Sequence, residues 1–312
     1  MKTRILELDI LRCFAVIWII AVWHFSNYFS STSSFGQIIN NEICKNITYI
    51  MLSLFMFLSG LLTNLDKTFD KESVRQYYLK KVKRFYPLYV IAAITLYFTT
   101  IPSSMSFYNG ISQLALSLLG IATLSNNAPS TLWFMDVLLF FIIITPLFCF
   151  AKNKVYRILL MAIVYILIYI LSRKVNIVDA RYIRYMPFYL LGLLLTPEKF
   201  LDIANKYGTL AIIFAAFLKC LLPVHHIFLD IMFYGLCLLW GGKLVFIYCK
   251  HESCLLLNKI VAFVSYSSMC AYFFHRQLYA VGVLVGLPLL ILPIIVFCLS
   301  YSVQTIYNRM IR

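Results

Sequence analysis

Charged residues are scarce in this sequence. Asp, Glu, Lys and Arg together make up 12% of the chain, about half the share that is usual in soluble domains, whereas 62% of the residues are hydrophobic. A soluble fold of this length could not bury so much apolar surface. Acidic residues are fewer than basic ones, 12 against 27. Because the basic residues lie in short segments between apolar stretches, they indicate membrane topology and not binding to nucleic acid.

The signature motifs of several enzyme classes are also absent. The sequence contains no Gly-x-Ser-x-Gly, His-Glu-x-x-His, Walker or dinucleotide motif. A serine hydrolase, a zinc hydrolase and a nucleotide hydrolase therefore have no support. The nine cysteines lie mostly in apolar segments and never form a Cys-x-x-Cys pair, which favours packing over metal or redox chemistry.

Long apolar stretches recur along the whole chain, many of them long enough to cross a hydrocarbon core of about 30 Å. The first stretch lacks the cleavage pattern of a signal peptide and is predicted to be the first transmembrane helix. The sequence predicts an all-α, polytopic integral membrane protein, with residues 1–312 forming a single transmembrane domain and no separate soluble domain. About ten spans are expected, at residues 10–29, 47–65, 87–101, 132–150, 158–172, 185–197, 208–222, 227–248, 260–281 and 287–306. Residues 111–124 are apolar but short, and we expect them to stay outside or to re-enter.

Basic residues set the predicted orientation. The segment 66–86 is rich in Lys and Arg and is interpreted as a cytoplasmic loop, since basic loops stay in the cytoplasm. Both termini are then cytoplasmic, and we expect a multi-pass protein of the plasma membrane, in a bacterium the inner membrane. Arg173, Lys174, Arg181 and Arg184 oppose the rule, because they fall outside on this count. Either the topology is wrong at this loop or these charges have a function, and we favour a function.

Ionisable groups within spans usually mark a pathway or a site, and the predicted spans contain eight: Arg12, His24, Asp136, Lys219, Asp230, Lys243, His275 and Arg276. Lys219, Asp230 and Lys243 lie near helix ends, where snorkelling to the membrane surface explains them better. His24, Asp136 and His275 all fall near the outer level. Neutral imidazole is well suited to take a hydroxyl proton near neutral pH, so the pattern predicts a dyad of His24 with Asp136 as its orienting carboxylate. Arg12 precedes His24 by twelve residues, or about 18 Å of helix. The two suggest an elongated ligand, with its anionic end at Arg12 and its reactive end at His24.

The basic run at residues 80–84, KKVKR, precedes the sequence FYP at residues 85–87. It is suited to two anionic partners, the phosphates of an acyl-coenzyme A and the anionic lipid surface. The residues alone leave both open.

Several short motifs occur in an order that resembles the membrane acyltransferase family 3, whose members move acetyl or other short acyl groups onto sugars and lipids of the cell envelope. The motifs are LDILR at residues 8–12 with an apolar run to His24, FMFLSG at 55–60, KRFYPLY at 83–89, LWF at 132–134, PL at 146–147, PFYLLG at 187–192, SYS at 265–267 and FH at 274–275. Together they cover nearly the whole chain. The resemblance implies about ten helices and an acyl-coenzyme A donor.

By the same resemblance, Arg12 and His24 correspond to the functional arginine and histidine of the first helix, and Arg84 to the arginine of the basic motif. The family places ten residues between that arginine and that histidine, whereas eleven lie between them here. At about 100° per residue the extra residue would rotate His24 to another face. A π-bulge would absorb it, so we expect a wide turn between Cys13 and Trp23.

These observations predict an O-acyltransferase, and more narrowly an O-acetyltransferase, acting on a hydroxyl of an extracytoplasmic or lipid-linked carbohydrate. Its expected partners are the acyl-coenzyme A donor (acetyl-coenzyme A for the acetyl enzyme), the saccharide acceptor and membrane lipids, with no bound cofactor or metal and no nucleic acid. Assembly into a homo-oligomer is left open. The expected catalytic residues are His24, Asp136 and Arg12, the donor-binding residues are Arg84, Lys83 and Lys80, and the acceptor-side residues are Trp133, Tyr266, His275, Arg181 and Arg184.

The competing interpretation is a transporter or flippase in which the same charges form a pathway through the membrane. Inverted repeats and paired broken helices would be its signature, and the sequence has no convincing repeat. A membrane scaffold or sensor is a third interpretation, which would leave the group of His24, Asp136 and His275 unexplained.

Overall fold

The computed structural model describes residues 5–28, 41–63, 71–100, 107–125, 132–151, 153–175, 177–221, 226–251 and 255–311. Within these ranges the regular structure is helical throughout, without a strand. The α-helices are α1 (Leu6–Ile17), α2 (Glu42–Leu61), α3 (Lys71–Thr100), α4 (Phe107–Leu118), α5 (Trp133–Cys149), α6 (Lys154–Arg173), α7 (Ala180–Leu194), α8 (Pro197–Leu221), α9 (Ile227–His251), α10 (Leu255–Leu284) and α11 (Leu292–Met310). The all-α prediction is confirmed for the described residues.

Six of the described helices are long and apolar enough to cross a membrane. They are Glu42–Leu61, Lys154–Arg173, Pro197–Cys220, Ile227–Lys250, Leu255–Leu284 and Leu289–Met310. Helix α5 is equally apolar in character but has only 17 residues. The chain is therefore a multi-pass membrane protein. The expected total of about ten spans and the cytoplasmic position of both termini stay predictions.

Helix α3 corrects the interpretation of the basic segment. The sequence predicted a loop at 66–86 and a helix beginning at Pro87, but residues 71–100 form one helix with Pro87 inside it. Residues 66–70 lie outside the described ranges. A helix of 30 residues is about 45 Å long, longer than the hydrocarbon core, so α3 has room for both an apolar span and a basic extension. The basic side chains thus sit on a rigid element and not on a loop.

Prolines inside helices explain why that prediction was wrong. An interior proline has no N–H for the carbonyl four residues before it, and within a membrane such a carbonyl has no water to bond to. The structure has three such prolines among its described helices, Pro87, Pro146 and Pro187. A tyrosine hydroxyl donates to each freed carbonyl: Tyr307 to Lys83, Tyr77 to Ile142 at 3.4 Å and Tyr165 to Ile183 at 3.2 Å. With these partners the helices continue through the prolines.

The segment 111–124 does not form a span of its own in the described structure. Its helix, α4, has 12 residues and is about 18 Å long, too short to cross a core of about 30 Å. Gly120, with a φ of +68°, turns the chain after it, and a 3₁₀ turn follows at Ala122–Ser125. This agrees with the expected short segment, and the choice between an outside and a re-entrant position stays a prediction.

The chain forms two compact units. The first comprises Met1–Asn64 and Pro187–Ser268, and the second comprises Leu65–Met186 and Met269–Arg312. In the first unit α1 packs on α2 and α9, and α8 packs along α9. In the second unit α3 contacts α4, and α5 contacts α6.

Two glycines bring α2 and the second half of α7 into backbone contact in the first unit. A Cβ placed on Gly60 would lie 2.2 Å from the carbonyl oxygen of Tyr189, and a Cβ on Gly192 would lie 2.2 Å from the carbonyl oxygen of Phe57. The contact is reciprocal and leaves no space for a methyl group. Close approach through small residues is a common way for membrane helices to associate, and it assigns a packing role to the FMFLSG and PFYLLG motifs.

Substitution of Gly192 by Ala should therefore destabilise the protein. The new methyl group must displace the α2 backbone, at a cost of about 1–3 kcal/mol. Thermal unfolding of the purified protein in detergent measures the effect. Gly235→Ala is the matched control, because the nearest atom to its added Cβ would be a Phe188 ring carbon at 3.8 Å. Equal unfolding midpoints for the two variants would contradict the packing role.

Candidate active site

The first helix widens where the sequence predicted a wide turn. Helix α1 ends at Ile17 and continues as a π-helix over Trp18–His24, which overlaps the expected interval between Cys13 and Trp23. The π-helix absorbs an extra residue in each wide turn, and His24, at its end, is buried. The indole N–H of Trp18 donates to the Thr48 hydroxyl at 3.0 Å, which fixes the start of the π-helix to α2. The predicted bulge is confirmed.

Arg12 is held by a small polar cluster in the same unit. The Ser265 hydroxyl on α10 donates to Oδ1 of Asp9 at 2.6 Å. An N–H of Arg12 donates to that hydroxyl at 3.2 Å and lies 3.5 Å from Oδ1 of Asp9. Because Asp9 and Ser265 are buried, the cluster holds the guanidinium, which leaves the middle of α1, in a defined orientation.

Asp9 and Ser265 were missed as site residues by the sequence reasoning. Both lie in motifs that carried the resemblance, Asp9 in LDILR and Ser265 in SYS. Both motifs were recognised, but in the second motif Tyr266 and not Ser265 was predicted to be the site residue. In the structure Tyr266 is exposed, whereas its neighbour Ser265 contacts Arg12.

The expected donor-binding residues share one face of α3. Lys80, Lys83 and Arg84 are all exposed, and their spacing of three and four residues places them side by side on a helix. Lys81 is half-buried, with its ammonium 5.5 Å from the Tyr77 ring centroid. Burial and the neighbouring Arg84 lower the pKa of Lys81 to about 8. The extension of α3 therefore presents a compact set of cations, one of which titrates near neutral pH.

In the second unit Asp136 is completely buried in the first turn of α5. The Tyr89 hydroxyl lies 2.5 Å from Oδ1 of Asp136 and 2.5 Å from the backbone carbonyl oxygen of Ser117. A hydroxyl has one proton and a carbonyl has none. The single proton of Tyr89 is therefore donated to Oδ1 of Asp136 or shared with the Ser117 carbonyl. Tyr89 thus connects the first turn of α5 to the last turn of α4.

Two of the expected acceptor-side residues come together in this unit. The Arg181 guanidinium lies 4.6 Å from the centroid of the Trp133 ring, and Trp133 stacks on Tyr185 with centroids 5.6 Å apart. Asp179 pairs with Arg181 at 3.5 Å. Cation and ring attract each other in this arrangement. Arg181, one of the basic residues that opposed the topology rule, therefore has an aromatic partner.

His275 is completely buried on α10 among aromatic rings. The ring centroids of Tyr272 and Tyr279 lie 5.8 Å and 6.0 Å away. Its Nδ1 lies 2.8 Å from the carbonyl oxygen of Tyr272 and 3.2 Å from that of Ala271. Both neighbours accept, so the tautomer that fits carries its proton on Nδ1. Tyr272 also contacts Phe134, the residue after Trp133, at 5.3 Å between ring centroids.

The predicted site residues divide between the two units. Arg12, His24 and Tyr266 belong to the first unit. The others belong to the second, namely Lys80, Lys83, Arg84, Trp133, Asp136, Arg181, Arg184 and His275. The pairing of His24 with Asp136 joins residues of both units and stays a prediction.

Comparison with known protein families decides the class. The model of acyltransferase family 3, described as an acyltransferase domain, matches residues 5–306. The chain belongs to this family. No match was found among curated proteins or among solved structures. As a member of acyltransferase family 3, the chain is a membrane acyltransferase, and its motifs occur on the helices described above.

The polar cluster of the acyltransferase can be tested at Ser265. Substitution by Ala removes the shortest hydrogen bond to buried Asp9 and a partner of Arg12, which should lower the free energy of unfolding by about 1–3 kcal/mol. Ser267→Ala is the control, since that hydroxyl bonds to the Phe263 carbonyl of its own helix at 2.9 Å. Unfolding midpoints in detergent report the difference. If the Ser267 variant lost as much stability, the cluster would not be what holds Arg12.

Proposed function

We propose that this membrane acyltransferase is an O-acyltransferase, and specifically an O-acetyltransferase, that moves an acyl group from acyl-coenzyme A to a hydroxyl of an extracytoplasmic or lipid-linked carbohydrate. The supporting observation is the π-helix at Trp18–His24, which keeps His24 buried despite the extra residue after Arg12. An irregular helix of this kind is often found at functional sites. Arg12, twelve residues earlier, is oriented by Asp9 and Ser265.

The donor's phosphates would bind to the cationic face of α3. Lys80, Lys83 and Arg84 are exposed on adjacent turns, and Arg is suited to bidentate phosphate contacts while Lys acts as a point charge. Arg12 would contact a further anionic group of the donor. This division of roles assigns the nucleotide end of acyl-coenzyme A to the basic residues and leaves the thioester for His24.

The proposed reaction is a direct transfer of the acyl group. His24 takes the proton of the acceptor hydroxyl, and the oxygen forms a bond with the thioester carbonyl carbon. The carbon–sulfur bond then breaks, the ester is released, and the coenzyme A thiolate takes up a proton. Asp136, held by Tyr89, is proposed to orient His24 as its dyad partner.

The acceptor would bind to the aromatic and cationic group in the second unit. Trp133 offers a flat ring that is flanked by Arg181, a combination suited to a sugar that carries an acidic group. Arg184, His275 and Tyr266 are proposed as further acceptor-side residues. We place this reaction in the plasma membrane, with both termini of the chain in the cytoplasm and the acceptor on the opposite side.

His24→Ala is the direct test of the chemistry. Loss of a general base should slow acyl transfer by at least about 100-fold, measured with the purified protein, radiolabelled acetyl-coenzyme A and a crude carbohydrate or lipid acceptor fraction. His226→Ala is the control, because that histidine is exposed. Donor hydrolysis in the absence of acceptor gives a second readout.

Equal turnover by wild type and His24→Ala would remove His24 from the mechanism. In the same assay, unchanged activity of Asp136→Asn would remove the dyad while leaving the general base in place. If none of these proteins consumed the donor, and the wild type moved a labelled lipid-linked sugar across a vesicle membrane, the transporter interpretation would be favoured.

Donor affinity should depend on pH through Lys81. Because its pKa is lowered to about 8, Lys81 is cationic below that pH and neutral above it, so acetyl-coenzyme A should bind more tightly at pH 7 than at pH 9. Equilibrium binding across this range measures the change. The Lys81→Arg variant keeps its charge throughout this range, so its affinity should not fall between pH 7 and pH 9. If the affinity of this variant fell as much as that of the wild type, another group would cause the pH dependence.

A further inference from the structure

Pro87 lies directly beyond the basic run of α3. In an unbroken helix the N–H of residue 87 would bond to the carbonyl of Lys83, but proline has no N–H and its ring crowds that carbonyl. The freed acceptor belongs to a residue of the proposed donor set. Proline kinks a helix most easily at this point, so a donor from another helix can fix the direction of the basic half of α3.

Tyr307 on α11 supplies that donor. Its hydroxyl donates to the carbonyl oxygen of Lys83, a contact between residues 224 positions apart in the chain. The hydrogen bond is made at the point of α3 from which the side chains of Lys83 and Arg84 leave the helix. Because side-chain direction on a helix follows the local backbone, the position of this carbonyl sets the direction of the cationic face.

The basic half of α3 is also held from a second side. Tyr77 and Tyr78 donate from α3 to the carbonyls of Ile142 and Ile143 on α5, at 3.4 Å and 2.6 Å, next to Pro146. These two bonds fix the start of the basic run to α5, and the Tyr307 bond fixes its end. The cationic face is thus fastened at both ends by tyrosine hydroxyls.

We propose that Tyr307 is a positioning residue for the donor site of this acyltransferase, an inference that rests on the proposed donor role of Lys80, Lys83 and Arg84. Tyr307 acts through the backbone of Lys83 and contributes no charge to the donor. Its loss should therefore weaken donor binding without changing the chemical step.

The first experiment compares two tyrosine variants of the full chain purified in detergent. Tyr307→Phe should raise the Kd and the KM for acetyl-coenzyme A roughly 3- to 10-fold, because the donor would then have to order cationic side chains that are no longer held in place, with kcat nearly unchanged. Tyr165→Phe is the matched control, because its hydroxyl bonds to the Ile183 carbonyl that Pro187 frees. It loses the same kind of bond away from α3, so its unfolding midpoint should fall while its Kd stays at the wild-type value.

The second experiment is a double-mutant cycle with Pro87→Ala. Alanine restores the N–H at residue 87, so the Lys83 carbonyl is paired within α3 and the Tyr307 hydroxyl becomes dispensable. In the Pro87→Ala background, Tyr307→Phe should change the Kd by less than about 2-fold. Unfolding midpoints of the four proteins in the cycle should show the same coupling.

Three results would overturn the proposal. They are an unchanged Kd in Tyr307→Phe, an equal rise in Tyr165→Phe, and an undiminished effect of Tyr307→Phe in the Pro87→Ala background. Failure of the wild-type protein to bind acetyl-coenzyme A would instead overturn the donor function on which the positioning role rests. The cycle of unfolding midpoints would still decide whether Tyr307 and Pro87 are coupled.

Discussion

The structure depends on one constraint, that each backbone polar group in the apolar environment must have a partner within the protein. Interior prolines violate it locally, and the chain answers each of the three described violations with a tyrosine hydroxyl. The same contacts decide where the helices continue. Since Pro87 is bridged in this way, the basic run becomes part of a long helix, and three cations that would vary in position on a loop share one face of α3. The hydrogen bond from Tyr307 thereby helps to shape the candidate donor site.

A second group of motifs serves packing. Gly60 and Gly192 meet backbone to backbone, and a side chain on either would separate α2 from α7. The FMFLSG and PFYLLG motifs therefore contribute to helix association through these glycines. The proposed site residues lie elsewhere, on α1 and the π-helix after it, on α3, α5 and α10, and in the first half of α7. Family motifs of both kinds are needed, because a site on rigid helices is only as precise as the packing that holds those helices.

The sequence predicted those parts of the fold that depend on local composition. Apolar length predicted the helical class. The count of residues between Arg12 and His24, set against the interval that the family resemblance implies, predicted the wide turn. The predicted beginning of α3 was wrong because the carbonyl that Pro87 leaves without a donor is bonded by Tyr307, a residue far along the chain. Asp9 and Ser265 were missed for the same reason: a hydrogen bond between residues 256 positions apart leaves no periodic signal.

The π-helix combines a feature that the local sequence predicted with a contact to a residue on another helix. A regular helix is the lowest-energy solution for an isolated apolar segment, and a π-turn is rare, so its presence requires a compensating interaction or a function. Here the irregularity begins at Trp18, whose indole is bonded to Thr48, and ends at buried His24. Without it the extra residue would turn the imidazole by about 100° away from the face that the family resemblance implies. The irregular turn therefore keeps the imidazole of His24 buried, in a position that packing alone would give to an apolar side chain and that the proposed role of general base would need.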